Sequence, residues 1–242
     1  MEEPDTKCQA KLESLKKEFE DFIYIISHDM KTPMRAISNI SNWIEEDLGA
    51  TINPSIKENF NLLKNRVQRL ENMMNAMLEL SRVERYDMDF IEVNIPKLID
   101  EIIFITKDKL NTEFHISLHL KNENFITYIK KLEKVLLSVI DNSVRFNNNI
   151  KKNVYIEVVE TDINYEFEIK DDGLGVEEAV KDKIFDIFYT VHSKDVLDTT
   201  GSGLAISDKI LKFVGGNIEY KKNPSGGSIF KMIWPKNIEI KK

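Results

Sequence analysis

The chain is 242 residues long, room for one large domain or two small ones, and its 34 Lys and Arg against 41 Asp and Glu give a net charge of −7. That balance argues against a general nucleic-acid binder, which carries a basic patch or stripe, and leaves room for a small anion pocket; a hydrophobic content of 42% is enough for a core and excludes a disordered chain. No apolar run approaches the roughly 20 residues that span a bilayer, Met1 to Lys11 holds no apolar signal region, and the single Cys8 excludes an internal disulfide framework and a cysteine zinc site, so the chain reads as soluble and cytoplasmic, with no membrane insertion and no nucleic-acid partner.

Residues 1–11 read as an N-terminal tail. From Leu12 the apolar residues recur at Leu15, Phe19, Phe22 and Ile26, a 3-4 alternation that marks a helix seam, and the stripe continues through Met30, Met34, Ile37, Ile44 and Leu48. Gly49 ends this helix and Asn53-Pro54-Ser55 starts the next. The second stripe runs Ile56, Phe60, Leu63, Val67, Leu70, Met74, Met77. Residues 12–85 are therefore predicted to form an antiparallel helical hairpin. Two helices cannot fully bury stripes of this length on each other. Two hairpins in a four-helix bundle can, which predicts a homodimer; the alternative is that the stripes pack on the rest of the same chain. On the first helix His28 lies about 170° from the centre of the stripe, facing water, with Thr32 and Arg35 within about 40° of it and Asp29 beside it. Pro33 removes the helical partner of the Asp29 carbonyl and predicts a bend.

A linker is placed at 86–90 and a second domain at 91–236, followed by a short tail, 237–242. Helices are expected over 95–110, 130–146 and 204–214. Strands are expected over 115–120, 154–159 and 165–169, with a last hairpin of 217–222 and 228–234 around Pro224-Ser225-Gly226-Gly227. Such a mixture gives an α+β sandwich with helices on one face. Of the nine glycines, only Gly49 precedes Asp172, so the close-range backbone work belongs to the last third of the chain. Within it, Asp171-Asp172-Gly173-Leu174-Gly175 follows a strand directly, and Gly201-Ser202-Gly203-Leu204 opens a helix whose free N–H groups and dipole favour phosphate. Taken singly these features are weak: an exposed histidine is commonly a surface residue, Asp-Gly a hairpin turn, and aromatics near a helix plain core.

Together they are more specific. Ser27-His28-Asp29-Met30-Lys31-Thr32-Pro33-Met34-Arg35 resembles the phosphoacceptor box of the sensor histidine kinases of two-component systems. Four later segments resemble that family's nucleotide boxes, in the family's order: Asp141 to Phe146, Asp171 to Val176, Ile184 to Tyr189 and Thr199 to Ile206. The resemblance covers about residues 15–235. It implies a dimerisation hairpin followed by a Bergerat (GHKL-type) ATP-binding sandwich. It also implies ATP and Mg²⁺ as cofactors, with His28 as phosphoacceptor, Asp29 as its proton partner and Thr32 as a helper in dephosphorylating the partner protein. By the same resemblance Asn142 is the Mg²⁺ ligand, Arg145 faces phosphate and Asp171 holds the adenine amino group. Gly173 and Gly175 let the backbone approach the base, Phe185 and Phe188 anchor a lid over ATP from about Lys183 to Thr200, and Gly201, Gly203 and Leu204 cradle phosphate. Gly215-Gly216 would close the lid helix and Gly226-Gly227 turn the last hairpin. Ser138, Thr190 and Thr199 depart from the family's pattern. The implied function is ATP-dependent autophosphorylation of His28 and transfer to an aspartate on a response-regulator receiver domain, under an upstream sensor domain or protein. A nucleotide-binding dimeric scaffold and a phosphatase-dominant regulator with weak kinase activity are the alternatives.

Overall fold

The computed structural model describes residues 4–107, 111–191 and 199–238. The chain divides into two compact units, with the break between Arg82 and Val83, ahead of the linker expected at 86–90.

The first unit is a pair of helices, α1 (Pro4–Leu48) and α2 (Pro54–Arg82), joined through a 3-10 turn at Gly49–Thr51. Helix α1 begins well before Leu12, so the expected tail from Pro4 on is helical, and α1 runs through Pro33 as one element. Gly49 takes φ +48° at the turn, and the Asn53 side chain accepts the Ser55 N–H at 2.9 Å to open α2. Lys64 on α2 pairs with Glu45 on α1. The residues buried in the hairpin are Ile23, Ser27, Met34 and Ser41 on α1, with Val67 and Ala76 on α2. That face lies roughly 60° around α1 from the centre of the apolar stripe. Small side chains let the two helices approach. The bulkier stripe (Leu12, Leu15, Phe19, Phe22, Ile26, Met30, Ile37 and Ile44) stays exposed, as do Ile56, Leu63 and Leu70 on α2.

The second unit runs β1 (Phe90–Asn94), α3 (Ile95–Lys107), β2 (Thr112–His119), β3 (Asn124–Tyr128), α4 (Ile129–Arg145), β4 (Lys152–Glu160), β5 (Asn164–Asp171), α5 (Gly203–Val214), β6 (Asn217–Lys222) and β7 (Ser228–Pro235). A five-stranded sheet has the order β2-β4-β5-β7-β6, with β2 parallel to β4 and the other pairs antiparallel. One face packs on the three helices. Val154, Ile156, Val158, Phe167, Ile169, Phe230 and Met232 bury against Ile99 and Ile102 of α3, Leu132, Leu136, Val139 and Ile140 of α4, and Ile206, Ile210 and Leu211 of α5. The other face carries a polar row, Glu157–Glu168–Lys231–Glu219, in register across four strands. This alternation is what an antiparallel sheet solvated on one side requires, and the expected α+β sandwich is the fold found. Strands β1 and β3 are additional: they pair as a separate two-stranded ribbon, each too short for its sequence period to stand out, and buried Trp234 donates its indole N–H to Thr127 of β3 at 2.8 Å. The expected helix over 95–110 is helical to Lys107; 108–110 lie outside the described residues.

Beyond α4 the chain is tied to the end of β5 by a set of asparagines around Asp172. The Asp172 carboxylate accepts from the Asn147 side chain (2.5 Å), the Asn153 backbone N–H (3.0 Å) and the Asn153 side chain (2.8 Å), while the Asn149 side chain donates to the Asp172 carbonyl at 2.8 Å. Burial pushes this carboxyl up, but the asparagine donors outweigh it and hold it below the usual aspartate range. A carboxyl lowered in the folded state contributes stability that is present above its unfolded pKa and lost as the pH falls through the folded one. Asp172→Asn sets one amide against the Asn153 amide donor. It should therefore cost about 1–3 kcal/mol at about pH 7, with the gap to the parent chain narrowing toward about pH 3, as read by urea unfolding across that range.

Candidate active site

In the hairpin, His28 stands on α1 with its side chain 71% exposed and Nδ1 3.1 Å from Asp29 Oδ1. Its predecessor Ser27 is fully buried, so the helix turns His28 outward, as the position of the stripe predicts. An ionised carboxylate only accepts, so this contact puts the ring proton on Nδ1 and leaves the lone pair on Nε2. An exposed pair of this kind contributes little stability; its effect is to orient the ring and choose the tautomer. One turn earlier Tyr24 stacks on His28, with ring centroids 6.4 Å apart, and the guanidinium of Arg82 sits 5.2 Å from the Tyr24 ring centre. Thr32 is exposed one turn after His28.

In the second unit the Asp171 carboxyl is buried at the end of β5, the residue being 4% exposed. Its Oδ1 accepts the backbone N–H of Gly173 at 2.9 Å and of Ser228 at 3.0 Å. Burial pushes this carboxyl up from the usual aspartate range; the amides of Gly173 and Ser228 and the Ser228 hydroxyl pull the other way, and burial wins. A buried, under-compensated acceptor at the mouth of a loop suits a ligand N–H. The loop after it is gripped on both sides. On one, Leu174 N–H donates to Phe146 at the end of α4 at 3.1 Å, and a Cβ on Gly173 would stand 2.8 Å from that same carbonyl. On the other, Tyr220 of β6 accepts the Val176 N–H at 2.8 Å, and Asn223 donates to the Asp171 carbonyl at 2.8 Å. Gly175, at φ +67°, packs on Gly227.

Gly227 is therefore more than the hairpin punctuation expected of it. It takes φ +90°, and a Cβ there would lie 2.2 Å from the Asp171 carbonyl and 2.6 Å from its carboxyl oxygen. The β6–β7 turn forms one wall of the Asp171 site. Gly215, in contrast, caps α5 as expected. It lies at φ +85° with its N–H on Lys212, and Gly216 reaches back to Leu211 at 2.7 Å.

Asn142 and Arg145 lie in the last turn of α4, both half-buried. The guanidinium of Arg145 is drawn back to Asp141, with Nη2 3.0 Å from Oδ2. One turn before Asn142, Ser138 meets the start of α5: a Cβ on Gly203 would fall 2.5 Å from the Ser138 hydroxyl. The small residue at 138 and the glycine at 203 are thus one packing decision. It brings the N-terminus of α5, with Leu204 in its first turn, close to the helix that carries Asn142. Phe185 and Phe188 are half-buried, while their neighbour Ile184 supplies the core contact. Phe188 holds φ +66°, a left-handed conformation costing on the order of 1 kcal/mol or more in a non-glycine residue. Its N–H donates to the Gly201 carbonyl at 2.9 Å. Of the lid expected over 183–200, 192–198 lie outside the described residues.

The residues suit a magnesium ion that arrives on phosphates. Among the described residues no three His, Cys, Asp or Glu side chains converge on a metal site. A single carboxamide oxygen from Asn142 is the sort of sparse donor Mg²⁺ takes when phosphates and water complete its shell. What the sequence pattern missed is the support: Asn147, Asn149 and Asn153 around Asp172, and Tyr220, Asn223 and Ser228 around Asp171. The run Asn147-Asn148-Asn149 was a visible signal but reads locally as a turn.

Residues 20–85 match the model of the His Kinase A (phospho-acceptor) domain, and residues 127–238 match that of the histidine kinase-, DNA gyrase B- and HSP90-like ATPase. Cyanobacterial phytochrome B of a Nostoc species is 30% identical over 230 residues, which cover 93% of this chain and 30% of that protein. The chain thus spans under a third of that curated relative. Among solved structures, full-length ShkA in complex with AMPPNP superposes with a TM-score of 0.68 at 19% identity, covering 90% of this chain and 46% of that one. Histidine kinase ThkA in complex with the response regulator protein TrrA gives 0.66 at 19% identity, covering 96% and 67%; at that identity the likeness is one of fold. With a phospho-acceptor match on the hairpin that presents His28 and an ATPase match on the sandwich that buries Asp171, the chain belongs to the sensor histidine kinases.

Proposed function

We propose that this chain is the catalytic core of a two-component kinase, which uses ATP to phosphorylate His28 and passes the phosphoryl group to an aspartate on a response-regulator receiver domain. The observation that carries the reading is His28 itself, exposed, with Nδ1 held by Asp29 and Nε2 left as nucleophile. Nε2 forms the new bond to the γ-phosphorus while the bond from that phosphorus to the oxygen bridging to ADP breaks, and the Nδ1 proton shifts toward Asp29 as charge grows on the ring. Asp171 takes the adenine amino N–H, and Gly173 and Gly175 let the base approach. The N-terminal amides of α5, at Gly203 and Leu204, face phosphate with Gly201 just before them, and Phe185 and Phe188 set the root of the lid. Asn142 holds Mg²⁺, which neutralises charge on the transferring phosphates, and Arg145, released from Asp141, adds a cation near them. Thr32, exposed one turn from His28, orders water against a phosphorylated partner.

The exposed stripes carry a second part of the reading, a homodimer in which two hairpins close a four-helix bundle. Leu12 and Leu15, at the start of the same stripe, are where an upstream sensor element would couple. Among the described residues no helix is long and apolar enough to cross a membrane, and a cytoplasmic location goes with the use of ATP.

Incubation with Mg²⁺ and γ-labelled ATP should give acid-labile, base-stable label on the protein that is lost in His28→Ala. Label that survives the substitution, or none on a parent chain that binds ATP, defeats the kinase reading. Asp171→Asn keeps an oxygen for Gly173 and Ser228 but turns a donor toward adenine, so ATP affinity should fall at least tenfold, about 1.4 kcal/mol. A carboxyl raised in the fold destabilises it once the pH exceeds the unfolded pKa, a cost complete above the folded one. The same variant should therefore melt no lower than the parent at about pH 7, measured by calorimetry without nucleotide. Sedimentation at micromolar protein should give twice the chain mass, shifting to the monomer in Phe22→Glu/Ile26→Glu; a monomeric parent chain rejects the bundle.

A further inference from the structure

We propose that Lys131 is a positioning residue for the phosphoryl transfer, clamping Val83–Tyr86 onto the ATP-binding unit so that the joint between the two units is the single step from Arg82 to Val83. This rests on the kinase reading for its kinetic consequence, though the clamp itself does not.

Lys131 lies in the first turn of α4 and is 3% exposed. Its ammonium donates to two backbone carbonyls, Val83 and Tyr86, each at 2.6 Å. It also stands 5.1 Å from the ring centre of Phe213 in the last turn of α5 and 6.0 Å from that of Tyr128. Among the described residues no carboxylate comes within ion-pair distance of it. Burial accordingly lowers its pKa, with Asp87 opposing from farther off. Burying a charged lysine this way is costly, and an apolar side chain would fill the space for less. What an apolar side chain lacks is donors for the two carbonyls in the turn after α2, that of Val83 in a buried contact and that of Tyr86 in a part-buried one. Val83 itself is 5% exposed. The neighbouring Lys130 holds the residues that follow, 3.7 Å from Asp87 and 3.4 Å from Asp89. Two consecutive lysines thus grip the stretch before β1, one through carbonyls and one through carboxylates.

The mechanical consequence follows from tether length. Delivery of ATP to His28 is an encounter between tethered groups, whose rate scales with effective concentration and falls as the free tether lengthens. With Val83–Tyr86 clamped, the free tether is one step. Without Lys131 it lengthens toward Phe90 and the encounter is diluted.

The full chain carries the test. Lys131→Met should leave ATP affinity and the KM for ATP unchanged while kcat for autophosphorylation falls roughly three- to tenfold, and trypsin should cut after Arg85 faster than in the parent. Lys131→Arg, which keeps charge and donors, should restore both. If Lys131→Met fails to fold, a pair of insertions decides. Two glycines between Arg82 and Val83 should lower kcat, whereas two between Asp87 and Met88, beyond the clamp, should not. Equal effects of the insertions, unchanged cleavage after Arg85, or a KM that rises with the loss of kcat overturns the proposal. A parent chain that binds ATP but takes no label defeats the kinase reading alone, leaving the Arg85 cleavage to decide the clamp.

Discussion

The Asp171 carboxyl is buried at the end of β5, and its two backbone donors come from segments far apart in sequence, Gly173 just after the strand and Ser228 at the start of β7. Holding a carboxyl in that place requires backbone to approach it from both sides, and backbone approaches that closely only where there is no Cβ. Hence a glycine at 173 and a glycine at 227 at φ +90°. The rest of the unit is arranged to keep these segments in register. Asp172 is laced to the segment after α4, Tyr220 and Asn223 tie β6 and the turn after it to the end of β5 and the loop that follows it, and α4 and α5 close together at Ser138 and Gly203.

The hairpin divides its surface between tasks. One face of α1, with Ile23, Ser27, Met34 and Ser41, packs inside the hairpin, where small side chains bring the helices close. Roughly 60° away, a stripe of large apolar residues stays exposed among the described residues, which is the usual mark of an association surface. His28 and Thr32 occupy neither face. They are exposed, and the local tie to Asp29 orients the imidazole without burying it.

Much of this was legible in order along the chain. The 3-4 spacing of apolar residues identified both helices of the hairpin and the outward turn of His28, because a helix repeats every 3.6 residues whatever it packs against. Period-two alternation in Tyr165 to Ile169 identified β5 in the same way, and a glycine pair fixed the end of α5. The ribbon of β1 and β3 was not legible, since its five-residue strands are stabilised by pairing with each other and by Trp234 across the core, interactions between residues far apart in sequence. The face on which α1 meets α2 was displaced from the apolar stripe for a related reason: hydrophobic periodicity reports what must leave water, not which of several partners removes it.

What the sequence by itself determined was local chemistry in a known order: a histidine beside an aspartate on a helix, an aspartate before a pair of glycines, a glycine pair at a helix start. These depend on neighbours within a turn or two, so they survive without coordinates. Only the tertiary structure decided that Gly227 belongs to the Asp171 site, that three asparagines hold Asp172, and that Lys131 reaches back 48 residues to Val83 and 45 to Tyr86. Each is a polar group whose partner is supplied by chain closure. A buried donor must find an acceptor, but nothing in its own neighbourhood of sequence says which one.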